Sequence, residues 1–161
     1  MLKLLLDEHI SPDVMNGVQR RNRSVVIYSI VQWENGNFLG KEDSVCLMEA
    51  AKQRLTMVTY DRRTIPPLLK LWAEEERSHG GVIFVDEKTI LPADIGGLVR
   101  ALISLMDEAG GMDWTNQVCF LRSGRSRART IANLQWHLTS AGRGRWIQRR
   151  STQGRTSSEH G

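Results

Sequence analysis

Cysteine is nearly absent from this chain of 161 residues. The two present, Cys46 and Cys119, stand 73 positions apart. That spacing matches no zinc or redox motif. Both sit among apolar neighbours, so buried free thiols in a reducing cytoplasm are expected. Long hydrophobic runs are missing too. Nothing approaches the roughly 20 apolar residues that cross a bilayer, so the expectation is a cytoplasmic protein with no membrane partner. The opening Met1-Leu2-Lys3-Leu4-Leu5-Leu6-Asp7-Glu8 turns acidic too soon for a signal peptide and reads as a strand. No P-loop, G-x-G-x-x-G, G-x-S-x-G or H-E-x-x-H occurs. Nucleotide hydrolysis, dinucleotide chemistry and serine hydrolysis therefore lose their usual signatures. No period of roughly 20–50 residues repeats.

What is present is enough apolar residue for one core, at 40% of the chain. The net charge of +4 conceals a split. Residues 1–121 carry 13 Lys/Arg against 17 Asp/Glu, a net of −4. Residues 122–161 carry nine Arg and one Glu, a net of +8. The division predicts a domain over 1–121 and a basic, flexible tail over 122–161. Within the tail, Ile131 to Leu138 reads as a short amphipathic helix. Such a tail suits an accessory RNA-binding arm, which adds affinity without sequence specificity.

Along the body, residues 2–6 read as a first strand. Ser11-Pro12 opens a helix whose apolar face is Val14, Met15 and Val18. The β-branched stretch 24–30 reads as a second strand, and 32–40 as a loop. A helix over 41–54 presents Val45, Leu47, Met48, Ala51 and Leu55. Residues 55–59 read as a third strand. Thr64 is placed to cap a helix with Pro66-Pro67 in its first turn and Leu68, Leu69, Leu71 and Trp72 as core, broken at His79-Gly80-Gly81. Val82 to Val85 reads as a fourth strand, Pro92 to Glu108 as a last helix, and 118–121 as a fifth strand. Strands alternating with helices predict an α/β three-layer sandwich. Its central, mainly parallel sheet has four to five strands joined by right-handed crossovers.

Buried parallel strands carry their chemistry just past their carboxyl ends. Asp7 follows the first strand there, and Asp61 the third. Clustered carboxylates persist where a cation neutralises them. The same acids also suit turns and helix caps, so both readings stand. Asp43, in Lys41-Glu42-Asp43, opens a helix and could face Asp7. Helix-dipole stabilisation explains it equally. Thr59 could bond a ligand carboxylate. Arg62 and Arg63 put positive charge beside the acids, where phosphate would lie, or are simply solvated. His9 could contact phosphate or only its own loop. Glu8, Glu42 and Asp86 are possible additional acids.

Taken in order, Leu-Leu-Asp-Glu-His-Ile-Ser-Pro (5–12), Glu-Asp (42–43) opening a helix that ends Glu-Ala-Ala (49–51), Val-Thr-Tyr-Asp-Arg-Arg (58–63) and Gly-Gly-Val-Ile-Phe-Val (80–85) resemble the bacterial PIN-like family. That family is associated with toxin–antitoxin operons and is related to PIN-domain ribonucleases. The resemblance spans about 1–105. It implies a PIN-like fold, Asp7, Asp43 and Asp61 as the catalytic and metal-binding acids, Mg²⁺ or Mn²⁺ as cofactor, and RNA and an antitoxin as partners. The family often has a second acid two residues after the position of Asp61. Here Arg63 stands there, and Thr64 and Ile65 replace the aromatic that follows.

The expectation is a metal-dependent endoribonuclease, the toxin of a toxin–antitoxin pair, capable of homo-oligomerising. Arg62, Arg63, Thr59 and His9 would bind substrate. Two rivals remain. One is a degenerate PIN-like module that binds RNA or protein without cutting. The other is a receiver-like phosphoacceptor domain, with Lys88 imitating that domain's lysine.

Overall fold

The computed structural model describes residues 1–124, and as backbone the strands at 130–131, 134–138 and 144–148. The elements run β1 (Leu4–Leu6), α1 (Pro12–Arg21), β2 (Ile27–Ser29), α2 (Asp43–Lys52), β3 (Thr56–Thr59), α3 (Ile65–Glu74), β4 (Val82–Val85), α4 (Ile95–Ala109) and β5 (Val118–Leu121). A 3-10 turn, Trp33–Gly36, lies between β2 and α2. β1, β3 and β4 are buried at every residue. Their continuous apolar runs reflect that burial on both faces of the sheet.

The strand order is β2-β1-β3-β4-β5, all parallel. The protein is thus an α/β three-layer sandwich. On one face Leu4, Leu6, Val58 and Ile83 pack under α1 and α4. On the other Leu5, Met57 and Phe84 pack under α2 and α3. The chain reverses direction between β1 and β3, where a doubly wound sheet opens its crevice at the carboxyl edge.

One connection departs from uniform handedness. The chain leaves β1 for β2 over the α1 face, then crosses to β3 and on to β4 over the α2/α3 face. Those three crossovers share one hand. The step from β4 to β5 continues in the same direction, yet α4 lies on the α1 face. It therefore has the opposite hand, against the strong preference for uniform right-handed connections. Packing supplies the reason. Without α4, only α1 would cover a five-stranded face carrying Val58, Ile83, Val85 and Cys119. α4 buries Leu98, Leu102 and Leu105 there, each worth about 1.5–3 kcal/mol. The two helices approach closely at Gly17, where a Cβ would lie 2.8 Å from Val99 Cγ2.

Several elements differ in detail from the sequence reading. The buried stripe of α2 is Cys46, Leu47 and Ala50, with Met48 exposed. In α3 it is Ile65, Leu69 and Trp72, with Leu71 exposed. α3 ends at Glu74, before His79, in a Schellman closure. Arg77 N–H donates to Trp72 O at 2.8 Å and Glu76 N–H to Ala73 O at 3.3 Å. Glu76 takes φ +55°, and the Arg77 guanidinium sits 4.1 Å from the Trp72 ring centroid. α4 begins later than Pro92, because Asp94 caps it through Gly97 N–H at 2.8 Å. Both cysteines are free and buried.

The sheet continues past residue 121. β6 (Thr130–Ile131) pairs antiparallel with β5 through Cys119 and Val118. β7 (Leu134–Leu138) and β8 (Gly144–Gln148) form an antiparallel pair. Of the helix expected over 131–138, the described residues Ile131 and Leu134–Leu138 are strand. Leu134, Trp136 and Leu138 alternate with Gln135 and His137, which is the period of a strand. The expected flexibility of the rest of the tail falls outside the described residues.

Candidate functional site

Asp7 follows Leu6 at the carboxyl end of β1, and its N–H donates to Val58 O at 3.0 Å. That bond continues the β1–β3 ladder and sets Asp7 beside Thr59 on the α2/α3 side. Thr59 Oγ1 donates to Asp7 Oδ2 at 2.6 Å and accepts Asp61 N–H at 2.9 Å. Asp7 Oδ1 accepts Glu8 N–H at 2.8 Å. Burial pushes the Asp7 carboxyl above its ordinary pKa. Thr59, the Glu8 amide and His9 oppose that shift, and the Asp43 charge adds to it.

Asp61 turns the chain from β3 into α3. Its Oδ1 accepts the N–H groups of Arg63 at 2.7 Å and Thr64 at 2.8 Å. Partial burial is the largest single influence on its carboxyl and acts upward. The Thr64 hydroxyl, the two amides and the Arg63 charge together outweigh it and hold the pKa low. The turn role expected of such an aspartate is thus real, and it occupies only Oδ1.

Thr64 occupies the N-cap position of α3, as expected, yet its side chain caps nothing. A cap hydroxyl accepts from the N2 or N3 amide. Here those residues are Pro66 and Pro67, which have no N–H. The hydroxyl turns instead to the acids, 2.6 Å from Asp43 Oδ2 and 2.5 Å from Asp61 Oδ2. Asp43 reaches it from the first residue of α2. Asp7, Asp43 and Asp61 therefore share one edge, linked by two threonine hydroxyls.

The remaining expected residues are distributed around this edge. His9 Nδ1 stands 4.0 Å from Asp7 Oδ2 on a largely exposed side chain. Glu8 turns away, and its Oε2 accepts Gly40 N–H at 3.1 Å to hold the loop before α2. Glu42 is the N-cap of α2, and its side chain makes no capping bond. Asp86 accepts Lys88 N–H at 3.2 Å and pairs with Arg122 Nε at 3.2 Å, so it belongs to the β4–β5 end. Arg63 lies beside Asp61. Arg62 reaches across to Phe120 of β5, with its guanidinium 5.1 Å from the ring centroid.

Two features escaped the sequence reading. One is Thr64 as a link between carboxylates, for which the Pro66-Pro67 pair was the available signal. The other is Phe120, which stacks on Phe84 with ring centroids 5.5 Å apart. A cavity of about 490 Å³ lies at the opposite edge, lined by His79, Arg54 and Trp114 among others. His79 accepts Gly81 N–H on Nδ1 at 3.1 Å, and burial depresses its pKa to about 4.

Carboxylate oxygens suit a hard divalent cation. Among the described residues, no group of three or more His, Cys, Asp or Glu side chains closes around a single point. Two carboxylates do converge, those of Asp43 and Asp61, with Asp7 linked through Thr59. A small set of this kind fits Mg²⁺ or Mn²⁺, which often take only one or two protein carboxylates beside water and substrate phosphate. No family model, curated protein or solved structure matches this chain.

Proposed function

We propose that the protein is a metal-dependent endoribonuclease, the toxin of a toxin–antitoxin pair, using Mg²⁺ or Mn²⁺ held by Asp7, Asp43 and Asp61. One observation carries the metal part. A single hydroxyl, on Thr64, faces two carboxylate oxygens at 2.6 and 2.5 Å and has one proton to give. One anionic oxygen is therefore left against a lone pair. A hard cation would relieve that arrangement, as would an added proton on either acid.

A bound metal of this kind supplies an activated water and offsets charge on the phosphoryl oxygens. The chain's own residues do the rest. Thr59 holds Asp7 and the Asp61 amide in one register. Thr64 sets the spacing of Asp43 and Asp61. Arg63 and the exposed His9 stand where substrate phosphate would approach. The basic residues of 122–161 add backbone affinity that falls with salt. RNA as substrate and an antitoxin as partner rest on the segments that resemble the PIN-like family. Among the described residues, no helix is long and apolar enough to cross a membrane.

Two other readings have specific support. The missing third closure and Arg63 favour a degenerate binder. The strand order favours a receiver-like domain, since it is the order of that doubly wound class. The reversed hand of the β4–β5 crossover and the hydrogen bonds on both Asp61 oxygens weigh against the receiver.

Thermal melts in MnCl2 separate the readings. A cation bound to the folded state raises stability by about 2.7 kcal/mol at a hundred times its Kd. The wild-type melt should rise with MnCl2, and Asp43→Asn and Asp61→Asn should lose the rise. Equal shifts in all three proteins would remove the metal from this edge and leave the degenerate binder. A mass gain of one phosphoryl group from acetyl phosphate would select the receiver.

A further inference from the structure

The acidic edge is one end of a longer row. Thr59 is in register with Phe84, and Phe84 with Phe120. Asp7 extends the row through its bond to Thr59. Residues in register across parallel strands point to the same face. Asp7, Thr59, Phe84 and Phe120 thus line the α2/α3 side of the carboxyl edge, from acid to aromatic. Three inter-strand steps separate Asp7 from Phe120, roughly 14 Å at about 4.8 Å each.

The far end of the row is a layered stack. Phe84 is buried, with Phe120 half-buried on it at an interplanar angle of 23°. The Arg62 guanidinium covers Phe120 at 5.1 Å and is itself exposed. A guanidinium is planar and weakly hydrated, so it stacks on flat π systems from either face. Phe120 stands on one side of the Arg62 guanidinium, and the arginine keeps its solvent exposure. Contact with the ring restrains a side chain that would otherwise swing free in solvent.

We infer that Arg62, held on Phe120, is a stacking platform for a base of a single-stranded RNA whose backbone runs along the carboxyl edge to the acids. The inference rests on the ribonuclease reading and adds a substrate class to it. Bases inside a duplex are already stacked and cannot lie on such a platform, so the site selects single strands. The roughly 14 Å of the row places the stacked base a few nucleotides from the phosphate at the acids. Arg63, which has no aromatic support among the described residues, keeps the plain charge role.

The test uses the full chain carrying Asp7→Asn, so that bound RNA survives. Fluorescence anisotropy compares an eight-nucleotide single-stranded RNA with an abasic strand of equal length. Both strands meet the same basic tail, so their affinity ratio isolates contacts to bases. The parent should prefer the strand with bases by on the order of tenfold, the worth of one good stack. Arg62→Lys keeps the charge but not the plane. It should bind the abasic strand as before and lose the preference. Phe120→Leu removes the support and should lower the preference as well. Arg62 is exposed, so Arg62→Lys should melt like its parent. A parent without base preference, or an Arg62→Lys protein that retains it, overturns the platform and leaves the ribonuclease reading standing. No binding to either strand, together with no metal-dependent cleavage by wild type, overturns that reading and the platform with it.

Discussion

The Thr59 hydroxyl lies 2.6 Å from Asp7 Oδ2, so a buried donor at the end of β3 holds the acid at the end of β1. Thr59 Oγ1 in turn accepts Asp61 N–H at 2.9 Å. Thr59→Val keeps the branched shape and removes both bonds. It should cost about 1–3 kcal/mol in urea unfolding, the usual cost of stranding buried polar groups. Thr59→Ser should recover most of that. Equal losses in the two variants would assign the effect to packing.

Thr64 and Asp43 should be energetically coupled. Their contact lies at the surface, so the single variants Thr64→Val and Asp43→Asn should each change stability by about 1 kcal/mol or less. A double-mutant cycle should show non-additivity of at least about 0.5 kcal/mol. Purely additive effects would mean that the hydroxyl serves Asp61 alone.

His79 should make the protein acid-sensitive in a defined window. Its folded pKa of about 4 lies below the ordinary 6.5, so the unfolded chain takes up a proton first as pH falls. The stability that neutral His79 contributes is complete above pH 6.5 and is lost as pH falls toward 4. The loss should approach about 3 kcal/mol across that range. In urea titrations at several pH values, His79→Gln should show a flatter profile than wild type over the same window. Parallel profiles would place the titration elsewhere.

The strands were legible because burial on both faces leaves unbroken apolar runs, as in Leu4-Leu5-Leu6 and Val82-Ile83-Phe84-Val85. The acids were legible for a related reason, since Asp7 and Asp61 directly follow such runs. What stayed hidden depends on relations between distant segments. Arg62 meets Phe120 only after the β3–β4–β5 order is fixed. The hand of the last crossover depends on how α1 and α4 share a face. Ile131 to Leu138 was misread because residues 131, 134 and 138 satisfy helical spacing while 134, 136 and 138 satisfy strand alternation. Thr64 was read as a cap by position, although the two prolines after it leave no amide to accept its bond.

RNA cleavage by Asp7→Asn, beside wild type, bears most directly on the central claim. Burial raises the Asp7 pKa, so its contribution to stability is greatest below pH 3.8 and is lost as pH rises through the folded value. At neutral pH the substitution should leave the melt unchanged or raise it, which keeps activity and folding separable. Wild-type protein should cut single-stranded RNA with MnCl2 or MgCl2 and stop in EDTA, while Asp7→Asn with an intact melt should be inactive. Undiminished cleavage by Asp7→Asn, or wild-type cleavage that survives EDTA, would contradict the account.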